Sequence, residues 1–314
     1  VTPSPRLVAW LLLGVAVFAI SSSALLVRVA DAPPLALAWW RTTLGATILL
    51  SWQAINRRRF SPTPGIRSPA RLRQMWLIVV AGAALGFHFA SWLQSLEMTS
   101  VAASVTLVTT APLLIAGYRA LRGYRLERRI WLALVLALAG TIIIASADAT
   151  PNSTGTQLGA SGFTNTALVG DGLALTGAVM MAVYLTVGHR LRGELGTVAY
   201  AGRVYAVAAM VLTPLVLALD VPLGGYSATT WLAIGAMVLG PQLAGHTVLN
   251  RLLGDLGPVT VSLALPAEPI GAGLLVWLFI GEVPTVGAAF GAGVIVVALV
   301  VYATTPQTVS GPEH

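Results

Sequence analysis

Ten stretches of about 20 predominantly apolar residues, each followed by a short polar break, leave this chain few folds to choose from. At ~1.5 Å rise per residue, a helix of that length crosses a ~30 Å hydrocarbon layer with every backbone polar group paired inside the segment. The stretches lie at roughly 7–30, 34–55, 74–95, 101–118, 130–147, 169–189, 198–219, 228–249, 258–280 and 286–303. Only 9% of the 314 residues are charged and 56% are hydrophobic, too little charge to coat a soluble surface. The expected fold class is an all-α membrane protein with ten transmembrane helices. Arg6 before an apolar run ending in Ser21-Ser22-Ser23-Ala24 imitates a signal peptide. That run is too long for a typical signal core and nine more follow it, so it reads as a retained helix.

The basic residues fix an orientation. All 18 are arginine. With the N-terminus inside, the inner segments carry Arg6, Arg57, Arg58, Arg59, Arg67, Arg71, Arg73, Arg119, Arg122, Arg125, Arg128, Arg129, Arg190, Arg192 and Arg251. The outer loops carry Arg28 alone, while Arg41 and Arg203 fall within spans. This asymmetry predicts both termini on the cytoplasmic side of the cell membrane, and it accounts for the net charge of +7 without nucleic-acid binding. There is no cysteine, hence no disulfide or thiolate metal site.

The chain divides in the middle. Residues 148–168 are rich in Gly, Ser and Thr, lack basic residues and read as an external linker. On either side, similar features recur in the same order: Leu85-Gly86 and Leu239-Gly240, Arg41 and Arg203, Pro112 and Pro269, Gly140 and Gly293. The expected domains are a five-helix repeat over 1–147, the linker, a second repeat over 169–303 and a cytoplasmic tail over 304–314. Five is odd, so the second repeat enters the membrane from the opposite face. Inverted repeats are the architecture of alternating access, with a substrate site near the midplane where the repeats meet.

This arrangement, with Arg41 in the second helix and Asp171 opening the sixth, resembles the EamA-type branch of the drug/metabolite transporter superfamily. The most specific stretch runs from Gly257 to Ala303, through Pro-Ala-Glu-Pro-Ile at 266–270 and the Gly281-Glu282 turn. The Glu268-Pro269 pair is similar to that of amino-acid exporters of the family, such as threonine/homoserine exporters. The resemblance implies a ten-helix carrier without a cofactor. It implies substrate class less sharply, because the family also carries sugars, nucleotide sugars and drugs.

The polar residues inside the spans are the candidate site. Glu268 lies about ten residues into its helix, ~15 Å deep, at the bilayer centre. A charge there costs at least ~2.5–3.5 kcal/mol unless it is paired, hydrated or protonated. Pro266 and Pro269 each remove a backbone donor, a break tolerated where it lines a cavity. Two readings stand: Glu268 as substrate ligand or proton carrier, or as a protonated cross-helix bond. Arg41 and Arg203 read as gates or charge partners, or as arginines snorkelling to the headgroups. Glu97 is a possible partner for Arg41. His88 with Trp92, and Gln242 with His246, occupy matching helix faces and suit a small-molecule site, or else ordinary packing. Tyr184 and Ser21 are repeat mates near mid-depth, and Ser21 also fits a bond to the preceding turn. Thr109-Thr110 before Pro112 fits the capping of freed carbonyls, and Asn250 and Gln94 read as solvated helix ends. The glycine pairs Gly82/Gly86 and Gly287/Gly291 predict close helix packing.

No Walker loop, His-Glu-x-x-His or Gly-x-Ser-x-Gly motif is present, so neither an enzyme nor an ATP-driven pump is expected. The expected function is a secondary transporter of small polar metabolites, amino acids first, working as an exporter. The expected partners are a small-molecule substrate, the lipid bilayer and protons. A carrier of drugs, sugars or nucleotide-type metabolites is the alternative, and a membrane enzyme or channel a remote one. Oligomeric state is not legible.

Overall fold

The computed structural model describes residues 5–56, 69–99, 101–148, 165–281 and 283–305. Most of the linker, most of the tail, Glu282 and the arginines Arg57, Arg58, Arg59 and Arg67 lie outside these residues.

The described residues are helical almost throughout, as hydrocarbon demands of a backbone with no water to bond. Spans one to three are α1 (Pro5–Val29), α2 (Pro34–Ile55) and α3 (Pro69–Met98). The fourth span is broken into α4 (Val101–Val108) and α5 (Ala111–Leu121). The fifth to seventh are α6 (Arg128–Asp148), α7 (Asn165–Arg192) and α8 (Thr197–Ala218). The eighth starts with α9 (Ala228–Met237), loosens into a π-helical segment over Val238–His246, and continues into α10 (Thr247–Leu263). That helix is interrupted by Gly257, whose φ of 74° takes the left-handed conformation that a side chain resists. There the eighth span ends and the ninth begins. The ninth passes through one 3₁₀ turn at Leu265–Ala267 into α11 (Glu268–Ile280). The tenth is α12 (Val286–Ala303). Gly281, with φ 81°, terminates α11, while Glu282, the other half of the turn expected there, lies outside the described residues.

Ten spans thus form as two five-helix units, and their packing obeys the expected symmetry. The first and sixth spans are repeat mates, and so are the third and eighth. Accordingly, α1 packs on α9, the π-helical segment and α10, while α7 packs on α3. Likewise α1 packs on α11 while α7 packs on α4 and α5. The self-matching pairs, α2 with α8 and α6 with α12, sit where the pseudo-two-fold axis requires. Each unit therefore buries its helices mainly against the other.

Small residues let the backbones approach. A Cβ on Gly291 would stand 2.7 Å from the Gly140 carbonyl oxygen, and one on Gly287 would meet Ala147 at 2.7 Å. On Gly82 it would strike Val207 at 2.5 Å, and on Gly86 it would crowd Ala208 of α8. The glycine pairs are packing devices, as their spacing indicated. Large apolar side chains such as Leu11, Leu132, Leu217, Leu232 and Phe279 point outward, as they do where lipid is the solvent.

The two ends differ. At the arginine-rich end, Arg73 forms an ion pair with Glu194 in the α7–α8 turn, and Gln74 donates to the same carboxylate at 3.2 Å. At the other end, Trp40 stacks edge-on against Trp39 and Trp231, with ring centroids 4.8 and 5.1 Å away, and donates to the Leu223 carbonyl.

Candidate functional site

The fourth and ninth spans break just ahead of repeat-matched prolines, and residues of both breaks line a cavity of about 40 Å³. It has room for a few water molecules. Its wall includes Arg41 from α2, His88 and Trp92 from α3, Ala111 opening α5, His246 from the eighth span and Glu268 opening α11. Five of the nine sequence-derived site residues therefore line one cavity.

Arg41 is 1% exposed and does not reach a headgroup, so the snorkelling reading is set aside for it. Its Nε donates to Gln242 Oε1 at 2.9 Å, and its guanidinium carbon lies 4.1 Å from the centre of the Phe89 ring. Arg is suited to this, being a planar cation that stacks on a ring while its edge bonds a neighbour. Both terminal nitrogens, Nη1 and Nη2, remain buried without a hydrogen-bond partner. Gln242 Nε2, His246 Nδ1 and Trp92 Nε1 are orphaned in the same way. An unmet buried polar group costs ~1–3 kcal/mol, so a closed, dry cavity is an expensive state for this wall.

His88 is held firmly. Its Nδ1 lies 2.9 Å from the Gly177 carbonyl of α7 and must carry the proton there, and its ring stacks on Trp92 at 5.9 Å. His246 packs edge-on against Phe89 at 5.2 Å. Phe89 thus braces both Arg41 and His246, a residue the sequence reading passed over as one more apolar side chain. Glu268 is half-buried, and among the described residues no ion pair joins it to Arg41, although both line the cavity.

The local geometry follows from proline. Pro112 and Pro269 each lie in the first turn of their helix, where a missing N–H costs nothing. Ahead of Pro112, the Thr109 and Thr110 hydroxyls donate to the Thr106 and Leu107 carbonyls at 3.0 and 2.7 Å, as the sequence suggested. Pro241 sits inside the π-helical segment, which carries both Gln242 and His246. A π segment re-aims the side chains that follow it, and such segments recur at functional sites.

Other candidates lie elsewhere. Ser21 donates to the Val17 carbonyl at 2.9 Å and packs against Gly271 of α11, a seam rather than the cavity wall; Ser23 lines the cavity instead. Tyr184 donates to Asn250 Oδ1 at 2.5 Å. Asn250 is fully buried, which corrects its reading as a solvated helix end: the eighth span continues past it to Gly257. Arg203 is half-buried toward Arg71 and does not join the cavity wall. Glu97 accepts from Gln94 at 3.4 Å, not from Arg41.

Comparison with known proteins agrees with this architecture. The EamA-like transporter family matches over residues 6–146 and 168–304, one match for each five-helix unit. A solved crystal structure superposes with a TM-score of 0.75 at 22% identity, covering 96% of this chain and 99% of its own. That likeness is one of fold. No curated protein matches the sequence. The chain belongs to the EamA-like transporter family and is a multi-pass membrane transporter of small molecules.

Proposed function

Starting from that membership, we propose that the protein moves amino acids or closely related small polar metabolites out of the cell, by alternating access around the midplane cavity. One observation carries the reading: a single carboxylate, Glu268, lines the same cavity as the unpaired nitrogens of Arg41, Trp92 and His246. A zwitterion complements both. Its carboxylate takes the two free terminal nitrogens of Arg41 in a forked pair of charge-assisted bonds, and its ammonium lies toward Glu268. Gln242 holds the guanidinium and His246 finishes the wall, while His88 and Trp92 shape the side-chain end.

Glu268 also suits proton coupling, because a carboxyl at mid-membrane gains or loses its charge with hydration as the cavity opens to either side. The arginine distribution supports both termini in the cytoplasm and residence in the cytoplasmic membrane. Arg203, near the arginine-rich face, then acts as a charge partner at the inner mouth. The aromatic wall of Phe89 and Trp92 favours one second reading, a flat aromatic drug or metabolite in the same cavity.

The test is initial flux of a panel of radiolabelled amino acids in proteoliposomes, wild type beside Glu268→Gln. Saturable flux in the wild type and its loss in the variant are expected. Equal flux in both removes Glu268 from the mechanism, and flux indifferent to an imposed pH gradient removes proton coupling.

A further inference from the structure

Below the cavity, toward the arginine-rich end, lies a second buried polar group that the cavity reading does not use. Tyr184 of α7, Tyr200 and Tyr205 of α8 and Asn250 of α10 are all 0% exposed. They are linked to the cavity. Arg41 bonds Gln242, and the Tyr205 hydroxyl donates to the Gln242 backbone carbonyl at 3.1 Å and lies 3.0 Å from Thr247 Oγ1. Tyr184 bonds Asn250 Oδ1, and the Asn250 amide nitrogen faces Tyr205 without completing a hydrogen bond. The Tyr200 hydroxyl has no partner, and beyond it Arg192 at the end of α7 has an unpaired Nε. The sequence reading had weighed Tyr184 alone and placed Asn250 in solvent.

These groups serve packing poorly. A close-packed helix seam gains nothing from an unpaired phenol and an unpaired amide nitrogen, where Phe and Leu would satisfy the same shape. They also break the internal symmetry. Where the second repeat has Tyr200 and Asn250, the repeat register puts Ala38 and Leu96 in the first, and that end carries stacked Trp39, Trp40 and Trp231. One half of the bundle ends in a cluster of tryptophan rings. The other is filled by hydrogen-bonding side chains, among which the Tyr200 hydroxyl and the Asn250 amide nitrogen lack partners.

We propose that Tyr184, Tyr200, Tyr205 and Asn250 line the half of the permeation route between the cavity and the arginine-rich face. The layer is shut in this structure and takes up water and substrate when the helices part on that side. The groups are neutral, so the route suits a polar solute with no net charge, such as a zwitterion, which exchanges bonds with hydroxyls and amide in passing. The inference rests on the cavity being the substrate site.

Cysteine accessibility separates the two claims, because the chain has no native cysteine. Tyr200→Cys and Asn250→Cys are exposed in sealed vesicles to a membrane-impermeant methanethiosulfonate cation applied at the arginine-rich face. Ser23→Cys serves as the cavity reference and Ile295→Cys, in the α6–α12 seam, as the packed reference. Both layer thiols are expected to react at least about tenfold faster than Ile295→Cys, since route opening is easier than local unfolding. Layer thiols as slow as Ile295→Cys, beside a reactive Ser23→Cys, overturn the proposal and leave the cavity reading intact. Protection of Ser23→Cys from both faces overturns the cavity reading and the proposal with it. Should Asn250→Cys fail to insert, Tyr205→Cys reports on the same layer.

Discussion

In the fourth span the helix stops at Val108 and restarts at Ala111, just ahead of Pro112; in the ninth it stops at Leu263 and restarts at Glu268, just ahead of Pro269. The backbone event is the same, and both breaks face one cavity. The chemistry differs. In the fourth span two threonine hydroxyls cap the carbonyls of the preceding turn, and the residue before proline is alanine. In the ninth, Pro266 and Ala267 stand in the places of the two threonines and supply no such caps, and the residue before proline is a carboxylate. The converse holds for the arginines: Arg41 of the first repeat enters the cavity, whereas its mate Arg203 does not. Duplication provided the hinge twice, but each repeat contributes one charge of opposite sign. A site for a dipolar solute follows from that division.

The largest expected effect attends removal of one charge. Glu268→Gln should lower amino-acid flux by roughly 10–100-fold, the worth of one charge-assisted bond of ~1.5–3 kcal/mol. Arg41→Lys should weaken binding by about tenfold, because a lone ammonium cannot form a forked pair or stack on Phe89 as a plane. Isothermal titration with the transported amino acid measures it. Transfer of the carboxylate to its mate sharpens the comparison: Ala111→Glu combined with Glu268→Gln should restore part of the flux lost in Glu268→Gln alone. No recovery would mean that the two breaks are not equivalent in depth. Pro269→Ala should slow transport about threefold by allowing the hinge to straighten, and Pro112→Ala less, since its hinge is also fixed by hydroxyls. The smallest effect belongs to Thr110→Val, about 0.5–1.5 kcal/mol of stability, read as a small fall in melting temperature.

What the sequence disclosed divides along the same line. Each span is a contiguous apolar run, so ten helices could be counted, and Thr-Thr-Ala-Pro marked the fourth-span break locally. The eighth-to-ninth junction was placed near its true position because Gly257-Pro258 is a local signal as well. Contacts set by tertiary packing were not legible. Arg41 meets Gln242 at 2.9 Å from 201 residues away, and snorkelling was the natural reading of an arginine seen only along its own helix. The π-helical segment around Pro241, which carries Gln242 and His246, was not anticipated from the sequence. Asn250 was assigned to solvent because its apolar run appears to stop at 249, whereas the helix continues inside the protein. Phe89 carries no mark at all: only its place beneath a guanidinium distinguishes it from other core rings.

The central claim is that Glu268 faces a hydrated space reached in turn from both sides of the membrane. Glu268→Cys in this cysteine-free chain, challenged with an impermeant thiol reagent from each face separately, measures that directly. The account predicts modification from both faces, slowed by the transported amino acid. Modification only by a lipid-soluble maleimide, with neither face admitting the impermeant reagent, would contradict it.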